Sequence, residues 1–199
     1  MKLFPGLPNH QRILMAVMFA AVSVYALAQQ KERAATIVSL RLNDAAPRVI
    51  DGDTLDVSGS RVRIVGIDAP DEDRLPLKQA STLTLQGLID RDGGVECATS
   101  LFDVALQREK QCRSPATSYG RLNLSCRFKA NGASLAATMV AQGYAVDYRR
   151  YSGGAYVGLM QKAARERLGL WGQDYVGMRQ LAVERATLPK GCAADPLGR

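Results

Sequence analysis

The stretch RVIDGDTLDVSGSRVRIVGIDAPD, residues 48–71, alternates apolar and polar side chains in runs only a few residues long. Leu55 and Val57 share one parity in the run after Asp53. In the next run Val62 and Ile64 share one parity, with Arg61, Arg63 and Val65 on the other. Successive side chains of a strand point to opposite faces, so this period predicts strands with one face buried. Asp51-Gly52-Asp53 and Gly59-Ser60 supply turn chemistry between the runs, and together they predict an antiparallel meander. The same stretch sets Asp51, Asp53, Asp68 and Asp71 close to Arg63 in sequence. Taken singly these residues are ordinary. Aspartate and glycine favour turns, and an arginine in an alternating strand is ordinarily a surface charge.

Downstream, Pro70 and Pro76 break the pattern into a loop. Leu77, Leu85, Leu88 and Ile89 then recur at helical spacing up to Gly93-Gly94. Residues 94–100 and 121–128 predict two further strands, separated by a polar insertion at about 98–118. Leu135, Met139 and Val140 mark a second helix that stops at Gly143. Residues 155–172 predict a third, with Tyr156, Leu159, Met160, Ala163 and Leu168 on its apolar side and Lys162, Arg165, Glu166 and Arg167 on its polar side. The order is three strands, helix, two strands, helix, helix. It predicts an α+β fold, mainly a five-stranded barrel with three helices packed on it. An open α+β sheet is the alternative. A lead segment at residues 29–46 precedes this domain at 47–175, and residues 176–199 read as a C-terminal tail.

Residues 1–28 have the pattern of a secretory signal peptide. Lys2 and Arg12 are its only charges, residues 13–28 are an apolar run, and Ala26-Leu27-Ala28 matches a cleavage site. The run of 16 residues is short of the about 20 that a spanning helix needs. An uncleaved anchor at residues 13–28 is the alternative. The expected location is periplasmic or extracellular, with no stable membrane span once the segment is cut. Cleavage loses two cations and no acid, so the formal charge falls from +7 to +5 and the chain stays basic. A basic surface favours polyanions.

The chain has one histidine, His10, inside that segment. Histidine-based triads and His-ligated zinc sites are therefore closed to the rest of it. Four cysteines, Cys97, Cys112, Cys126 and Cys192, form no C-x-x-C pair. In an exported chain they suggest disulfides, with three pairings open. Without histidine, hydrolysis falls to carboxylates, arginines and a hard cation. A hard divalent cation takes oxygen ligands, and arginine matches phosphate with two parallel bonds. Asp53, Asp68, Asp71, Arg63 and Arg121 supply such a set for a phosphodiester. One feature of spacing stands against it. Arg63 and Asp68 are five apart, which puts them on opposite faces of a straight strand unless Gly66 bends it.

Taken in order, VIDGDTLDV, RVRIVGIDAPD, SYGRL and a helix ending LGLWG resemble the thermonuclease family, the staphylococcal-nuclease-like domains, over about residues 47–173. The resemblance implies an OB-type barrel of five strands with three helices, and a calcium-dependent nuclease acting on DNA and also on RNA. It implies that Asp53 and Asp68 are calcium carboxylates, with the carbonyl of Ala69 as a backbone ligand. Arg63 and Arg121 fall where the family clamps the scissile phosphate. Asp71 falls where the family has a glutamate that orients the attacking water. Aspartate reaches about 1.5 Å less, and neighbouring Glu72 is the substitute. Tyr119 and Tyr151 fall near the nucleotide. The resemblance also favours a Cys97–Cys126 bridge, which leaves Cys112 with Cys192. The insertion before Tyr119 is a departure from the family. No protein partner is inferred. The rival expectation is a non-catalytic module of the same fold that binds nucleic acid or protein. A structural envelope protein anchored by its first segment is the third.

Overall fold

The computed structural model describes residue 18 and residues 40–99 and 117–187. The signal-peptide reading, most of the insertion, Cys112 and Cys192 lie outside the described residues. The chain enters through β1 (Arg41–Asp44), β2 (Arg48–Asp51), β3 (Thr54–Val57) and β4 (Ser60–Ile64). A two-residue strand β5 (Ile67–Asp68) and a single 3-10 turn (Glu72–Arg74) lead into α1 (Leu75–Arg91). Then come β6 (Val95–Ala98), β7 (Thr117–Ser118), β8 (Arg121–Phe128), α2 (Leu135–Ala141) and β9 (Val146–Asp147). The chain closes with α3 (Arg149–Ser152), α4 (Val157–Glu166), α5 (Leu170–Gln173) and α6 (Tyr175–Ala186).

The fold is α+β, as the order of elements predicts. Six strands run in the path β1-β6-β8-β4-β3-β2, with β7 as a short addition on β8, and β5 pairs separately with β9. The meander is present in the register Val49↔Leu55 and Leu55↔Val62. β4 and β8 lie parallel, with Arg63 opposite Asn123. The sheet curls into a half-barrel. The Ser58 N–H at the β3–β4 turn donates to Asp44 Oδ2 at 2.7 Å, and the Ser58 hydroxyl donates to Asn43 O at 3.0 Å, which ties that turn to β1. Leu55, Val57, Val62, Ile64, Val95, Leu124 and Phe128 fill the concave side, capped by Leu85 and Ile89 of α1 and Leu135 and Met139 of α2. A second apolar cluster joins Leu77, Val146, Ala163, Leu170, Trp171, Met178 and Leu181.

Four boundaries differ from the sequence expectation. The predicted strand 61–68 is two strands. Val65 and Gly66 turn, and Gly66 takes a φ of +86, a left-handed value that suits glycine. The predicted helix 155–172 ends at Glu166 because Arg167 and Gly169 are left-handed, and the chain folds back so that the Leu170 N–H donates to Gly143 O at 3.0 Å. Of the residues expected as a tail, 176–199, the described ones are helix up to Ala186. Asp174 caps α6 by accepting the Gly177 N–H at 2.9 Å, and Met178 and Leu181 are buried. Part of the lead segment is likewise strand β1, paired with β6.

Candidate active site

The β2–β3 turn lies directly against α1. A Cβ on Gly52 would stand 2.0 Å from Ser81 Oγ and 2.7 Å from Ala69 Cβ, so only glycine fits there. That approach buries Asp53, which is 4% exposed. Its carboxylate is fully engaged. Oδ1 accepts from Arg63 Nη1 at 2.8 Å and from the Thr54 hydroxyl at 2.9 Å, and Oδ2 accepts the Ala69 N–H at 3.1 Å. The Val65–Gly66 turn resolves the spacing objection. It swings β5 back across the end of β4, and Arg63 Nη2 donates to Asp68 Oδ1. One guanidinium thus holds both buried acids. The second oxygen of Asp68, Oδ2, accepts from Arg185 Nε of α6 at 2.7 Å.

Burial pushes Asp53 up to about 7; the carboxylates of Asp68 and Asp51 add to that rise and Arg63 opposes it. Burial works against the Arg63 charge, yet Asp53 and Asp68 hold that guanidinium above its ordinary value. Desolvation disfavours whichever form is charged, and here it falls on acids and base alike.

Arg121, the first residue of β8, donates from Nη1 to the Thr54 hydroxyl at 3.4 Å, and that hydroxyl in turn binds Asp53. Both arginines singled out in the sequence therefore reach the same carboxylate, one directly and one through Thr54. Asp71 is placed differently. Its side chain is 79% exposed, caps its own turn by accepting the Glu72 N–H at 2.9 Å, and lies 3.4 Å from Lys78 Nζ. Lys78 also binds Glu72, so neither acid points at the Arg63 cluster. Ala69 presents its N–H to Asp53.

Tyr119 is 95% exposed at the β7–β8 turn, with the Arg121 guanidinium 5.9 Å from its ring centre. Tyr151 packs edge-on against Tyr148 with centroids 4.6 Å apart. It also lines a cleft of about 510 Å³ with Gly66, Ser125, Arg127 and Tyr156, which the acid pair does not reach. Arg150 lies 5.5 Å from the Tyr151 ring centre and Arg185 lies 5.3 Å from that of Tyr148. Cys97 and Cys126, directly opposite on β6 and β8, form a disulfide.

Thr54, Tyr148 and Arg185 are site residues the sequence does not announce. A cap at Asp174 followed by Met178 and Leu181 at helical spacing marks α6. Nothing in the sequence links Arg185 to an aspartate 117 positions earlier.

Among the described residues no three histidine, cysteine or acidic side chains gather as a ready metal cage. The donor chemistry still suits a hard cation. Asp53 and Asp68 are held by the two ends of one guanidinium, and carboxylate oxygens of this kind are what such a cation takes, with carbonyls and waters to complete its shell. Among the described residues no helix is long and apolar enough to cross a membrane.

No family model matches the chain. A curated relative is the succinoglycan biosynthesis protein ExoI of Rhizobium meliloti (strain 1021), 31% identical over 125 residues. The match takes in 62% of this chain and spans 61% of the relative's own length.

Proposed function

We propose that the chain is an exported, calcium-dependent nuclease of the thermonuclease type that hydrolyses phosphodiester bonds in DNA, with RNA as a second substrate. The observation that carries this is the single guanidinium of Arg63 bridging Asp53 and Asp68, with Arg121 one hydroxyl away. Arginines on an acid pair suit phosphoryl oxygens, which take guanidinium groups two bonds at a time. The reading extends to an OB-type five-stranded barrel. The ends of the sheet path, β1 and β2, are separated in sequence only by residues 45–47. Taken as one strand broken at Pro47, which has no N–H to donate, they close the path into five strands.

In this mechanism Asp53 and Asp68 would hold the cation, with the Ala69 carbonyl as a further ligand. A bound calcium ion would draw charge from a non-bridging phosphoryl oxygen and so make the phosphorus more open to attack. Arg63 leaves the acids and donates to that phosphoryl group, and Arg121 donates from β8. Both stabilise charge that grows towards the transition state. Asp71 leaves Lys78 and accepts the proton of the attacking water, whose oxygen bonds to phosphorus as the opposite P–O bond breaks and the leaving oxygen takes a proton from solvent. Tyr148 and Tyr151 offer ring faces to a base, flanked by Arg150 and Arg185.

The placement of Asp71 favours a second reading, a non-catalytic module that binds nucleic acid or protein through the same surface. The name of the ExoI relative adds polysaccharide to the substrates worth testing. One assay separates these. The protein is incubated with plasmid DNA, single-stranded DNA, RNA and acidic polysaccharide, with calcium or with chelator, beside Asp53→Ala and Arg121→Ala variants checked for folding by circular dichroism. Calcium-dependent cutting of nucleic acid that falls at least about a hundredfold in both variants is the expected result. Binding without cleavage in every tube makes the module the better account.

A further inference from the structure

Arg185 is the cation at this site that neither the sequence pattern nor the mechanism above uses at the acid pair. It comes from the last turn of α6, a helix fixed by the Asp174 cap and by Met178 and Leu181 in the second apolar cluster. Its guanidinium is one-third exposed, lies over the Tyr148 ring, and reaches inward to Asp68. With Arg63 on Oδ1 and Arg185 on Oδ2, both oxygens of Asp68 are occupied by arginine. Two acids and two arginines give this cluster no net charge.

We propose that Arg185 is a resident counter-ion of Asp68 that a divalent cation must displace, so that α6 sets the threshold for loading the site. The proposal rests on the reading of Asp53 and Asp68 as cation ligands. Three observations support a guanidinium that leaves rather than one that is locked. Arg185 is partly open to solvent, with one-third of its side chain exposed. Arg185 holds Asp68 through Nε, while Nη1 already stands 3.9 Å from Glu184 on its own helix, so a second carboxylate is at hand when Asp68 is given up. Glu184 is itself steadied by Arg74 at 3.3 Å, ahead of α1, so that partner stays in place. Removing the competing charge frees Asp68 Oδ2 for a cation. Keeping the charge while changing its shape does not.

The test is calcium titration of the full chain by calorimetry, with wild type, Arg185→Gln and Arg185→Lys. Arg185→Gln is expected to tighten calcium binding about tenfold, the equivalent of one charge-assisted bond no longer broken. Arg185→Lys is expected to stay near the wild-type affinity. A second measurement needs no variant. The Arg185 Nε–H resonance of the wild-type chain is expected to lose its hydrogen-bonded shift when calcium is added. Calcium binding in wild type that is unchanged or weaker in Arg185→Gln, or an Arg185 resonance that ignores calcium, overturns the competitor and leaves the cation site standing. An absence of calcium binding in wild type and Arg185→Gln alike overturns the cation site, and this proposal with it.

Discussion

At the scale of single residues, Asp53 and Arg63 are a buried acid and the base that opposes the cost of burying it. Arg63 is the partner of two buried acids, and removing one member of a buried ion cluster leaves charge uncompensated. Arg63→Ala is expected to cost roughly 3–5 kcal/mol in urea unfolding at neutral pH. A loss within the range of a surface substitution would mean that water, not Arg63, neutralises the pair. Asp53 sets a pH dependence. Burial lifts it to about 7 from an ordinary 3.8. Between those values the folded chain keeps a proton that the unfolded chain has released. Stability therefore falls as pH rises through that window and levels off above it. Asp53→Asn has no proton to lose, so thermal melts from about pH 4 to about pH 7 are expected to show the wild type declining relative to this variant. Parallel curves would show that Asp53 is not the group that titrates. Calcium binding requires the ionised carboxylate, and its affinity is expected to climb over the same window.

At the scale of elements, the site depends on two places where backbone comes close to its neighbours. Gly52 lets the β2–β3 turn touch α1, and Gly66 turns β5 back across β4. Gly52→Ala places a methyl group where Ser81 Oγ and Ala69 Cβ already stand. It is expected to cost about 1–3 kcal/mol, as overpacking does, and to weaken calcium binding as Asp53 is pushed from Ala69. Unchanged denaturation and calcium titration would show that the turn has slack. These elements also mark the limit of what the sequence reveals. The alternation of Leu55, Val57, Val62 and Ile64 is enough to read two strands, because a half-buried strand imposes period 2 on every residue it contains. Asp53, Arg63 and Asp68 are legible as chemistry because charged residues crowd a stretch that is otherwise core. The closing turn at Gly66 is only hinted at by one glycine, and the break after Glu166 is hidden. It is made by Gly143 and Gly169 meeting across 26 positions of sequence, a tertiary contact with no local signature. Asp71 follows Asp68 closely in sequence, yet its orientation is decided by Lys78 on α1. Arg185 is invisible for the same reason, since α6 is held near Asp68 by the second apolar cluster, whose members are scattered along the chain.

At the scale of the whole molecule, the Cys97–Cys126 bridge and the candidate site share strand β8 but lie to either side of it. The sheet runs β6, β8, β4, β3, so the bridge joins β8 to β6 while Arg63 lies on β4, Thr54 on β3 and Asp53 in the turn just before β3. The bridged residues are 29 apart in sequence, and the link restricts the unfolded chain more than it shapes the folded one. Reduction is therefore expected to lower stability by roughly 2–4 kcal/mol in urea unfolding. The register Cys97↔Cys126 and the buried positions of both residues remain available to the reduced pair, which packs as two small apolar side chains. Calcium affinity, measured at a urea concentration where oxidised and reduced chains are both still folded, is expected to be the same in the two forms. A reduced chain that stays folded yet binds calcium more weakly would show that the bridge holds β8, and with it Arg121, in register for the acid pair. The stability of this fold and the geometry of its site would then be one property.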